Sequence, residues 1–305
     1  SFSSRITSRY IFVTGTSGFV GSAVVQELMT AGHRVLGMVR SEEAAQKLLA
    51  SGAEVHRGDL GDLESITKGA AECDAVIHTA FNHDFTRFKE NCETDRKVIG
   101  ALAAVLAGSS RPLVVTSGIG LMSGFNRPVT EQDSPVADAA QIPRVATDEA
   151  VRTAADMGVN AYLVRLPPSV HGRGDHGFVP MLIDIARNKG LSAYVGQGLN
   201  QWPAVHRLDA AVLYRLIVEQ QPAQKIFHAV AESGIPFREI AAAIASGLNV
   251  SLVSKTAAEA ADHFAWFTHF AQIDCPASAT LTMEQTGWQP LQPGLIDDIK
   301  TAGYF

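Results

Sequence analysis

The chain has 305 residues, with 25 Lys and Arg against 31 Asp and Glu, for a formal net charge of −6. Hydrophobic residues make up 46% and charged residues 18%, enough apolar material for a sizeable core, which excludes wholesale disorder. The mild acidity excludes a general nucleic-acid binder, and no apolar run approaches the roughly 20 residues that span a bilayer. The opening stretch Ser1–Tyr10 is polar, holds two Arg and shows no apolar secretion core. The cysteines, Cys73, Cys92 and Cys275, are odd in number, widely spaced and outside any Cys-x-x-Cys pair. They read as buried small apolar residues of a chain in the reducing cytoplasm. The histidines form neither a His-Glu-x-x-His motif nor a Cys/His cluster, so no metal site is expected.

Tyr10–Val13 is a short continuous apolar run, the pattern of a strand buried on both faces. Gly18–Thr30 follows as a helix, with Val20, Ala23, Val24, Leu28 and Met29 at helical spacing and Gly32 as its stop. Arg34–Val39 is the second strand, Glu42–Ala50 a helix, Glu54–Arg57 a strand and Asp62–Ala70 a helix. Ala75–His78 is the fourth strand, Phe88–Ala107 a long helix and Leu113–Thr116 the fifth strand. Gly118–Pro143, rich in Gly, Pro, Asp and Ser, reads as a long loop over a site. Asp148–Met157 is then helical and Ala161–Leu166 the sixth strand. This alternation predicts an α/β fold: a Rossmann-type doubly wound parallel sheet with helices on both faces. Beyond Pro168 the pattern loosens, with helical Phe178–Asn188 and Leu208–Gln220 and strand-like Ala193–Val195 and Lys225–Val230. The expected division is a dinucleotide-binding domain over 1–170 and a smaller mixed substrate region over 171–305 that partly returns to the sheet.

Thr14-Gly15-Thr16-Ser17-Gly18-Phe19-Val20-Gly21 joins the first strand to the first helix. Gly15 suits the tight turn off the strand. Gly18 lets backbone approach a diphosphate, and Gly21 permits close helix packing. The open amides and the helix dipole favour the anion, so this turn in its strand–turn–helix setting predicts dinucleotide binding.

The spacing Gly-x-x-Gly-x-x-Gly resembles the extended branch of the short-chain dehydrogenase/reductase superfamily, its NAD-dependent epimerase/dehydratase-like members. Later residues carry the same resemblance in order: Gly58-Asp59-Leu60, His78-Thr79-Ala80-Phe81, Thr116-Ser117-Gly118, Arg165-Leu166-Pro167-Pro168-Ser169-Val170 and Thr286-Gly287-Trp288-Gln289-Pro290. It implies that Asp59 and Leu60 lie by the adenine. It further implies that Thr79, Ala80, Phe81, Thr116, Pro167 and Val170 line the rest of the cofactor, and that Ser117 is the superfamily's catalytic Ser. A homodimer is a common superfamily arrangement. An acid at the end of the second strand would accept from an NAD ribose. Arg40 stands there instead, and its guanidinium fork suits a 2′-phosphate, so NADP is the expected cofactor, with NAD as the alternative.

One part of the superfamily pattern is missing. Its usual acid is a Tyr with a Lys four residues later, and none of the five tyrosines has one. By position, Arg144 and Asp148 take the places of that pair. Arg144 cannot act as an ordinary acid, but it can bind an oxyanion. His83 and His176 are candidate replacement acids, and His171, Trp202 and His206 are candidate substrate contacts. His263 and His269, set among Phe264, Trp266, Phe267 and Phe270, read as a packed or lid-like helix. The resulting expectation is an atypical oxidoreductase of a small organic carbonyl or alcohol. A redox-neutral epimerase or dehydratase and a nucleotide-binding sensor or scaffold stand as alternatives.

Overall fold

The computed structural model describes residues 7–305. Its first half alternates β1 (Tyr10–Thr14), α1 (Phe19–Thr30), β2 (Arg34–Val39), α2 (Glu42–Ala50), β3 (Glu54–Arg57), α3 (Leu63–Ala71), β4 (Ala75–His78), α4 (Phe88–Leu106), β5 (Pro112–Gly118), α5 (Val145–Asp156) and β6 (Asn160–Leu166). There follow β7 (Ser169–His171), α6 (Phe178–Lys189), β8 (Leu191–Val195), β9 (Gln201–His206), α7 (Arg207–Gln220), β10 (Ile226–His228), β11 (Glu232–Pro236), α8 (Phe237–Leu248) and β12 (Ser251–Lys255). The chain closes with α9 (Ala257–Phe264), α10 (Thr268–Ala271), α11 (Thr280–Thr286) and α12 (Leu295–Thr301).

Seven parallel strands form one sheet in the order β10-β6-β5-β4-β1-β2-β3. Successive residues of β1 point to opposite faces. Ile11 and Val13 pack with Val24 and Leu28 of α1 and Leu213 and Ile217 of α7. Phe12 faces the other layer, with Ile66 of α3 and Leu102 of α4. The sheet is therefore doubly wound, as the sequence predicts. Strand order reverses between β1 and β4, and such a switch point opens a crevice at the carboxyl ends of the strands. A third core, around Trp202, Phe237, Phe264 and Phe267, supports the later helices.

Two local differences from the sequence reading matter. Helix α5 begins at Val145, three residues before the predicted Asp148, which makes Arg144 its N-cap residue. Strand β9 is absent from the sequence reading, because Pro203 stands inside it and Pro cannot donate to a ladder. The structure accommodates Pro203 with a register shift in β11 between Glu232 and Ile235, while β7 pairs with β9 only from Ala204 onward. The smaller sheets are β11-β9-β7 and β12-β8. No described helix is long and apolar enough to cross a membrane.

Candidate functional site

The turn between β1 and α1 is shaped by its glycines. Gly15 has φ +73°, and a Cβ there would lie 2.4 Å from Thr79 Oγ1. A Cβ on Gly21 would lie 1.9 Å from the Gly15 carbonyl oxygen, so no side chain fits. Gly18 caps α1 without a side-chain hydrogen bond, and no acidic residue stands in the first turn. The amides of Phe19, Val20 and Gly21 donate to nothing among the described residues. Open amides at the positive end of a helix, beside backbone that a Cβ would block, fit a diphosphate. Thr16 is buried and donates to the Met38 carbonyl; Ser17 is exposed.

Behind this turn lies a buried polar network. The Thr14 hydroxyl accepts from the amides of Thr79 and Ala80, so its own proton goes to His78 Nδ1, at 2.7 Å. His78 Nε2–H then donates to Asp95 Oδ1 at 2.6 Å. The other Asp95 oxygen accepts from Thr147 at 2.5 Å and from Arg144 at 3.0 Å. Burial alone would raise the Asp95 carboxyl, but His78, Arg144 and Thr147 outweigh it and hold it down at about 2. Arg144 also donates to Thr147 Oγ1 and the Thr116 carbonyl, and stacks over the Phe81 ring at 4.0 Å. These bonds leave Nε–H and one Nη2 hydrogen of its five donors uncommitted.

His83 meets the Phe81 ring edge-on at 5.2 Å and is exposed on one side. The walls around it, then the charges of Arg144 and His176, push its pKa below the ordinary 6.5. His176 is exposed and meets the ring of Phe19 at 5.8 Å. Arg144, His83 and His176 thus gather at the carboxyl ends of the strands.

Ser117 does not join them. It is buried, and its hydroxyl donates to Asp148 Oδ1 at 2.6 Å, against the expectation of a hydroxyl open to substrate. Burial pushes the Asp148 carboxyl upward, and its Oδ2 has no partner. Three expected substrate contacts are also corrected. Trp202 is 0% exposed and packs among Phe178, Phe237 and Phe267. His171 is 1% exposed and held 2.5 Å from Asp298. His206 caps α7, accepting from the Leu208 amide, and lies 3.6 Å from the same Asp298. In the fold Trp202, His171 and His206 are buried residues of β9 and β7.

Arg40 follows β2 with its side chain 77% exposed, 3.7 Å from Asp59. Leu60 is part-buried beside Asp59. Thr116 hydrogen-bonds Tyr214 at 2.7 Å, Pro167 follows β6, and Val170 lies in β7. Expected cofactor residues therefore occupy the carboxyl edge from β1 to β7. The broad depression lined by Gly108, Ser110, Gly158, Asn160 and Lys225 lies at the amino ends of β5 and β6, the opposite edge.

A model of the NAD dependent epimerase/dehydratase family matches residues 11–230. The chain belongs to this family. Among similar proteins, one from Schizosaccharomyces pombe is 47% identical over 297 residues, covering 97% of this chain and 99% of its own. A 2-alkyl-3-oxoalkanoate reductase of Stenotrophomonas maltophilia is 30% identical over 219 residues, covering 68% of this chain and 65% of its own. The solved dTDP-glucose 4,6-dehydratase DesIV of Streptomyces venezuelae, with NAD and TYD bound, superposes with a TM-score of 0.77 at 17% identity, covering 97% of this chain and 96% of that one. Family and relatives make this chain an NAD(P)-dependent enzyme of oxidoreductase or epimerase type.

Within this epimerase/dehydratase-family site, sequence reasoning missed Asp95 and Thr147. Asp95 carries a signal, since it interrupts the apolar stripe Cys92, Val98, Ile99 and Leu102 of α4. An acid on the inward face of a helix needs a buried partner. The aromatic segment is also resolved: Phe264 and Phe267 are core, while Trp266, 56% exposed, faces Phe85, 42% exposed, at 5.9 Å between ring centres. Cys73, Cys92 and Cys275 are buried, and burial pushes their thiols up to about 12, 11 and 12.

Proposed function

We propose that the chain is an NADP-preferring oxidoreductase that interconverts a small organic carbonyl compound and its alcohol, with Arg144 and His83 acting where the superfamily uses Tyr and Lys. The observation that carries this reading is the fixed guanidinium of Arg144, tied to Asp95, Thr147 and the Thr116 carbonyl yet keeping donors in reserve. When bound, the nicotinamide supplies or accepts hydride at the substrate carbon. Arg144 donates to the oxygen as negative charge develops there, and its fixed position means little reorganisation at that moment. His83, when protonated, gives the proton that completes the alcohol. Gly15, Gly18 and Gly21 shape the diphosphate turn, and the Arg40 fork takes the 2′-phosphate. The exposed faces of Phe85 and Trp266 offer the substrate an apolar wall.

The test is loss of reduced-cofactor absorbance with purified chain across a panel of ketones, aldehydes and enones, beside a binding titration. The expected result is turnover with NADPH on a member bearing an apolar body. A second reading, a nucleotide-binding sensor, is favoured by the commitment of the Ser117 hydroxyl to Asp148 and by the missing Tyr-x-x-x-Lys. Tight binding without turnover of any member would replace the first reading by the second.

A further inference from the structure

Arg207, the first residue of α7, reaches from the later half of the chain to the amino end of α1. Its guanidinium stacks on the Phe19 ring at 4.4 Å and donates to Ser22 Oγ at 2.7 Å. The loop after β7 closes on its stem, since a Cβ on Gly172 would lie 3.3 Å from Arg207 Cγ. Phe19 and Ser22 belong to the first two turns of α1, whose leading amides are open.

The electrostatics of this corner do not balance within the protein. A helix amino end carries partial positive charge, and a cation placed there is disfavoured. Arg144 pairs with Asp95 and Arg215 with Glu27 and Glu219, and buried Arg165, which forms no ion pair among the described residues, is still influenced by the charges of Asp148, Asp133 and Glu131. Arg207 forms no ion pair among the described residues, its Nε is buried without a partner, and burial alone lowers its pKa. His176, on the same Phe19 ring, adds no negative charge. A held cation, an orphaned donor and open amides together lack one thing, an anion.

We propose that Arg207, seated beside the glycine turn, clamps the diphosphate of the dinucleotide, so that the second half of the chain completes the cofactor site. This rests on the dinucleotide reading above. It assigns different phosphates to two arginines, Arg40 to the 2′-phosphate and Arg207 to the diphosphate. Titration calorimetry with NADPH, NADH and adenosine 2′-monophosphate separates them. Arg207→Gln is expected to weaken NADPH and NADH by the same factor, about tenfold or more for a lost charge-assisted contact, and to leave adenosine 2′-monophosphate unchanged. Arg207→Lys, which keeps the charge and loses the fork, is expected to fall between Arg207→Gln and wild type, and it serves if Arg207→Gln does not fold. Wild-type binding of both dinucleotides with both variants within twofold of it, even with a lowered melting temperature, would make Arg207 a staple between α1 and α7 and overturn the clamp alone. Absence of binding by the wild type would instead overturn the dinucleotide reading beneath it.

Discussion

Asp95 is the residue on which the proposed chemistry is built, because it fixes Arg144 and His78 at once. Its carboxyl, held at about 2, lies below the ordinary value near 3.9. That preference stabilises the fold above about pH 4 and is lost as pH falls toward 2. Asp95→Asn removes one side of a buried ion pair and is expected to cost about 3–5 kcal/mol. Chemical denaturation between pH 2 and 7 checks both points, since the variant should lose the acid-side slope. Arg144→Met is expected to lower kcat/KM by about 10²–10³ while dinucleotide affinity, read by calorimetry, stays near wild type. For His83 the sign follows from its role. An acid must be protonated, and its pKa is pushed below 6.5, so the rate of carbonyl reduction should rise as pH falls through and below that value. His83→Gln should flatten that profile. Ser117→Ala leaves buried Asp148 without its donor, so a loss of about 1–3 kcal/mol in stability is expected with little change in kcat.

The glycine turn is the element on which cofactor binding depends, and its three glycines are not equivalent. Gly21→Ala drives a methyl against the Gly15 carbonyl and is expected to abolish dinucleotide binding. Gly18→Ala meets only that carbonyl, at 3.2 Å, and is expected to weaken binding while leaving it measurable. Calorimetry on both variants ranks them. The turn and strands β1, β2, β4, β5 and β6 are legible in sequence because strands buried on both faces read as continuous apolar runs, and Gly punctuates them; β3, a half-exposed edge strand, is legible only from its place in the alternation. Strand β9 is not legible, because its Pro203 is tolerated only through a shift in β11, a strand distant in sequence. The start of α5 is hidden for a related reason. Arg144 is a poor capping residue by local rules, and Asp95, on another helix, compensates for it. The burial of Ser117, Trp202, His171 and His206 is likewise decided by partners far along the chain, so residue type alone marks them as site candidates and cannot place them.

At the scale of the whole molecule, the two halves are tied through the same edge of the sheet. β10 adds to β6, α7 lies on the α1 face, and Arg207 meets Phe19. The carboxyl-terminal segment pins the loop that carries His176: Asp298 holds His171, and the Tyr304 hydroxyl donates to Asp175 at 2.6 Å. The Arg40, glycine-turn and Arg144 assignments all presuppose one ligand lying across that edge. Titration calorimetry of the purified chain with NADPH, NADP⁺, NADH and NAD⁺ tests this most directly. The account predicts saturable heat, with the 2′-phosphorylated forms tighter; no heat from any of the four would contradict it.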